Sequence, residues 1–91
     1  MERYEITRGK KFVNTDKETG AQKIVIAFDL KDTVTGNSYY GLRLHEQPDG
    51  SWFTAFPSYE AKNGKFYHYY WLNLKEYEKE LVQELLAKYN Q

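Results

Sequence analysis

The run Phe66-Tyr67-His68-Tyr69-Tyr70-Trp71 is the densest group of side chains able to do chemistry. In an extended strand successive side chains point to opposite faces. Tyr67, Tyr69 and Trp71 then share one face, and Phe66, His68, Tyr70 and Leu72 the other. Three rings in a row are platforms for unpaired bases, each stack being worth ~1–3 kcal/mol. They are equally suited to anchoring a protein partner, where Tyr and Trp dominate binding hot spots. Ordinary cross-strand aromatic packing uses the same residues. All three readings stand at this level.

Other chemistries find little support. His45 and His68 are the only histidines and there is no cysteine. A zinc site would have to recruit carboxylates, and no HExxH-type spacing is present. Ser38, Ser51 and Ser58 fall in turn-like sequence without the context of a nucleophile. The acids lie on turns and on the C-terminal segment, where they form no evident two-carboxylate cleft for glycoside hydrolysis. No glycine-rich phosphate loop precedes a helix. The expectation is a protein that is not an enzyme and takes no cofactor or metal. The basic residues Arg3, Arg8, Lys10, Lys11, Lys23 and Arg43 gather in the N-terminal half. Acids there nearly balance them, so a basic patch would have to come from spatial sorting.

Composition frames these options. The chain has 91 residues, with 13 Lys+Arg against 13 Asp+Glu, and is 18% aromatic. One domain, residues 1–91, is expected at this length. Disulfides and cysteine-ligated zinc are excluded. No run approaches the ~18 apolar residues of a membrane span and no signal-type leader opens the chain, which makes a cytoplasmic location the expectation. High aromatic content and zero net charge argue against disorder. They also argue against a strongly basic nucleic-acid binder.

The elements that must position these residues read as strands followed by a helix. Glu2–Arg8 alternates loosely, with Tyr4 and Ile6 on one side; Gly9-Lys10-Lys11 breaks it and Phe12-Val13 resumes it. Residues 14–22 form a polar hairpin loop. Lys23–Leu30 is the clearest strand, with Ile24, Ile26, Phe28 and Leu30 on one face. After a turn over 31–38, Tyr39–Glu46 alternates with Tyr40, Leu42 and Leu44 pointing one way. Gln47-Pro48-Asp49-Gly50 is a reverse turn, with Pro presetting φ and Gly supplying φ > 0. Trp52–Phe56 is the return strand, closed by Pro57. Ser58–Gly64 reads as a loop and Lys65–Leu72 as the last strand. Leu74, Tyr77, Leu81, Val82, Leu85, Leu86 and Tyr89 then follow a helical stripe. Asn73 would be its N-cap and Glu76 the partner in a variant capping box. The fold class is α+β: a meander-like antiparallel sheet of four to five strands with one C-terminal α-helix on one face.

Against this background, Trp52-Phe53-Thr54-Ala55-Phe56-Pro57-Ser58, a four-residue loop and Asn63-Gly64-Lys65-Phe66 resemble the hallmark of the SpoVG (stage V sporulation protein G, septation regulator) family. That hallmark is an Ala-Met-Pro-Ser strand end, four residues, an Asp-Gly or Asn-Gly turn, then Phe or Tyr. The preceding strands and the closing helix stand where the family has them. The resemblance implies a small antiparallel sheet with a C-terminal helix, a homodimer, and DNA or RNA binding by a bacterial regulator. It departs where the family usually carries basic residues after Pro-Ser: here the loop is Tyr59-Glu60-Ala61-Lys62. Fewer cations mean a smaller counterion-release contribution and weaker duplex binding. The expected contacts are Arg43, Lys62 and Lys65 to the nucleic-acid backbone, with Tyr59, Tyr67 and Tyr69 stacking on bases. The alternative is a protein-interaction module, of the kind phage or mobile-element inhibitors and adaptors use, anchored by Tyr59, Tyr67, Tyr69 and Trp71.

Overall fold

A computed structural model describes residues 2–90. Six strands precede one helix: β1 (Tyr4–Thr15), β2 (Gln22–Asp32), β3 (Ser38–Glu46), β4 (Trp52–Ala55), β5 (Ser58–Glu60), β6 (Phe66–His68) and α1 (Glu78–Tyr89). The first four form an antiparallel meander in the order β1-β2-β3-β4, and β5 and β6 form a separate two-stranded hairpin. The expected α+β class with a C-terminal helix is therefore what the chain adopts.

One face of the sheet is apolar because β2 and β3 alternate. Ile26, Phe28, Leu30, Leu42 and Leu44 are at most 2% exposed and cluster with Tyr4, Ile6, Leu74, Leu81 and Leu85. Burying Leu81 and Leu85 stabilises by about 1.5–3 kcal/mol each. That packing holds α1 in place, because a helix this short is marginal alone. Acidic Glu78 and Glu80 sit in its first turn and Lys88 in its last, as the helix dipole favours.

The elements differ from expectation in five places. Gly9 does not break the first strand; β1 runs through it, with a register shift between Ile6 and Arg8 that leaves Thr7 unpaired. Gly9 lies under the Tyr89 ring, which a Cβ at this position would approach to 2.5 Å. In β3 a second shift puts both Tyr40 and Gly41 opposite Asp29, with Gly41 at φ +79°. This bulge reverses the alternation, so Tyr39 packs against the core and Tyr40 is 66% exposed. Ser58–Glu60 is strand β5 rather than loop, and β6 covers only three residues of the expected Lys65–Leu72 strand, outside the main sheet. Finally, Asn73 does not cap the helix. Its Oδ1 accepts from the Lys75 amide at 3.4 Å, a turn follows, and α1 begins after Tyr77 without a side-chain cap.

Asp32 fixes the corner where β2 turns into β3. Its Oδ1 accepts from the amides of Val34 and Thr35 at 2.9 and 3.2 Å. Its Oδ2 accepts from Arg3 Nε and Nη2, both at 3.2 Å. Desolvation pushes this carboxyl up, but the Val34 amide, Arg3 and the Thr35 amide outweigh it, and its pKa lies below the usual carboxylate value.

Candidate nucleic-acid interface

The β5–β6 hairpin gathers the tyrosines. Tyr59 pairs with Tyr67 across the ladder, which puts both on one side, and the alternation carries Tyr69 to the same side. The Tyr59 ring lies 6.0 Å from Tyr67 and 4.9 Å from Tyr69, centroid to centroid. All three remain exposed. The Asn63 side-chain amide donates to the Tyr67 hydroxyl at 3.3 Å, and the Asn63 Oδ1 accepts the Lys65 amide at 3.0 Å. These bonds brace the turn, which Gly64 closes at φ +78°. Lys62 and Lys65 are exposed on that turn.

Trp71 does not join this ledge. The chain leaves the hairpin after β6, and the Trp71 ring lies 6.3 Å from Phe56 instead. The expected trio of Tyr67, Tyr69 and Trp71 on the face of the main sheet is thus replaced by Tyr59, Tyr67 and Tyr69 on the hairpin. Tyr70 points inward. Its ring is 5.2 Å from Tyr39, and its hydroxyl donates to the Tyr40 carbonyl at 2.6 Å. Burial, with Asp29 and Tyr39 adding to it, raises the Tyr70 hydroxyl to about 12. This contact ties the chain leaving the hairpin to the β3 bulge.

Arg43 stands on a different element. It lies on the sheet face opposite α1, beside a cavity of about 300 Å³ lined by Gly41, His45, Ala55, Phe56, Pro57 and Ser58 as well. The cavity joins the sheet face to the start of β5, so Arg43 borders the path from the sheet to Tyr59. On that face the register sets residues in rows. Arg8 pairs with Asp29, and Asn14 with Lys23. One row between them is Lys10, Ala27, Arg43 and Ala55; the other is Phe12, Val25, His45 and Phe53. His45 stacks on Phe53 with centroids 5.0 Å apart and planes 15° apart. Desolvation and the neighbouring Arg43 charge lower the His45 pKa below its ordinary value.

Phe12, His45 and Phe53 come from three different strands, and the pairing register aligns them. The available signal was the alternation of Phe12 with Asn14 and of Phe53 with Ala55. Among the described residues, no group of three or more His, Asp or Glu side chains is placed to hold a metal ion, and no helix is long and apolar enough to cross a membrane. No protein-family model, curated protein or solved structure matches the chain.

Proposed function

We propose that the chain is a cytoplasmic, SpoVG-like regulatory protein that binds nucleic acid, DNA or RNA, with a preference for single strands. The observation that carries this reading is the ledge of Tyr59, Tyr67 and Tyr69, three exposed rings on one side of a hairpin whose turn presents Lys62 and Lys65. Exposed rings stack on bases whatever their identity, and nearby cations follow the phosphates. Arg43 supplies a further cation where the ledge meets the sheet. The resemblance of the Phe-Pro-Ser and Asn-Gly segments to the SpoVG family supports the same reading and implies a homodimer. β1 is an edge strand, and its unpaired backbone offers a surface on which a second copy could add.

Fluorescence anisotropy with labelled single-stranded DNA, single-stranded RNA and duplex at two salt concentrations tests this function. Single strands are expected to bind more tightly than duplex, and to weaken as salt rises. No binding at tens of micromolar protein in low salt would overturn it. Light scattering tests the dimer, which should have twice the 10.9 kDa mass of one chain.

A second reading rests on Phe66, next to Tyr67 on β6, and Trp71, beyond the end of that strand, which are 69% and 65% exposed. Aromatic side chains of this kind anchor protein partners, and a protein-interaction module is the alternative if nucleic acid fails to bind.

A further inference from the structure

We infer that the open face of the four-stranded sheet is a second binding platform for single-stranded nucleic acid, continuous with the tyrosine ledge, with Phe12 and Phe53 as its stacking rings. The inference rests on the proposed nucleic-acid function and extends it to residues on other elements.

The chain as a whole is neutral, with 13 Lys+Arg and 13 Asp+Glu. Between the Arg8–Asp29 and Asn14–Lys23 rows, however, the open face carries Arg8, Lys10, Lys23 and Arg43 against Asp29 alone. Asp29 is itself engaged, accepting the Gly41 amide at 3.0 Å. A neutral chain has thus gathered cations on the face opposite the helix. This matches a polyanion, and Lys10 and Lys23 are of a residue type that protein–protein interfaces are depleted in.

The same face carries a row of rings. Phe12 and Phe53 stand at the two edges of the sheet, three strand spacings apart, or about 14 Å. They are 44% and 40% exposed. Between them Val25 is only 7% exposed even though it faces away from the helix, so the row is a packed floor. His45, stacked on Phe53, widens that edge. Lys10 Nζ lies 5.3 Å from the Phe12 ring centroid, which puts a cation beside a stacking surface. Four-stranded sheets bearing aromatic rings suit splayed, unpaired bases, while a duplex hides its base faces.

The Arg43 cavity opens on Gly41, His45 and Ala55 of the sheet and on Pro57 and Ser58 at the root of the hairpin. A strand lying on the sheet therefore reaches Tyr59 without crossing the helix side.

The test compares wild-type protein with Phe12→Leu, Phe53→Leu and Tyr67→Leu, each checked for fold by circular dichroism. Binding of labelled oligothymidine and oligouridine of about 4–16 nucleotides, the range of single-strand site sizes, is measured by anisotropy. The expected result is roughly five- to a hundred-fold weaker single-strand binding for Phe12→Leu and for Phe53→Leu. Lys10→Gln and Lys23→Gln should each flatten the salt dependence. If wild type binds and Tyr67→Leu weakens it while both phenylalanine variants bind like wild type, the sheet platform is overturned and the hairpin function stands. If wild type does not bind single strands, the underlying function fails as well. If Phe53→Leu converts a dimer to a monomer with binding per chain unchanged, a second copy covers this face and the inference is overturned.

Discussion

Gly9 and Tyr89 are in contact across the sheet–helix interface so closely that a methyl group on Gly9 would sit 2.5 Å from the tyrosine ring. Gly9 is absent from the positions with positive φ, so the demand on it is space rather than backbone conformation. Gly9→Ala is expected to cost about 1–3 kcal/mol, the range for overpacking. Because the obstacle is a side chain, Tyr89→Leu in the same chain should recover part of that loss. Urea unfolding of the two single variants and the double variant measures this; strictly additive losses would show that the ring does not limit the site.

The Tyr70–Tyr40 hydrogen bond is expected to steady the base of the hairpin. Tyr70→Phe should destabilise by about 0.5–1.5 kcal/mol, the net worth of an ordinary hydrogen bond. The variant should also speed amide hydrogen exchange at Tyr69, whose amide donates to the Pro57 carbonyl at 3.0 Å. Exchange unchanged throughout 57–70 would show that the hydroxyl does not hold the hairpin.

Thr54 has a hydroxyl shielded from water with no hydrogen-bond partner. Removing an unsatisfied buried hydroxyl while keeping its shape should stabilise. Thr54→Val is expected to raise stability by about 1 kcal/mol, measured by thermal unfolding. A lower melting temperature would mean that the hydroxyl is engaged.

Asp32 sets an acid limb of stability. Its folded pKa is held below the usual carboxylate value of 3.8 by the Val34 amide, Arg3 and the Thr35 amide acting against desolvation. The unfolded state then binds more protons in this region, so the contribution is present above that value and is lost as pH falls through the folded pKa. Asp32→Asn should be less stable at neutral pH and show a shallower loss of stability in acid. His45 behaves with the same sign in a higher window. Its folded pKa lies below 6.5, so its contribution is present above 6.5 and fades as pH falls through the folded value. Titrating the imidazole by NMR gives that value directly; a pKa above 6.5 in the free protein would contradict the desolvated stack on Phe53.

The core of this fold was legible wherever strict alternation met a single buried face. Ile26, Phe28 and Leu30 declared their face, and Leu81 and Leu85 theirs by helical spacing. Legibility stopped at the bulges. Gly41 looks like an ordinary strand residue, yet its left-handed backbone inverts the sides of Tyr39 and Tyr40. Gly9 looks like a breaker but is a contact. Of the site, Tyr59, Tyr67 and Tyr69 were visible as residue types, while their grouping required β5, which is too short and polar to announce itself. The rows across the open face depend on strand register, which the two bulges shift at positions that no alternation announces.

The most direct measurement follows backbone amide shifts as a single-stranded oligonucleotide is titrated into the protein. Shifts are expected on Lys10, Phe12, Arg43, His45 and Phe53 and on Tyr59, Lys62, Lys65 and Tyr67, while the amides of Leu81 and Leu85 on α1 stay in place. Shifts confined to α1, or none at millimolar oligonucleotide, would contradict single-strand binding at the tyrosine ledge and the sheet.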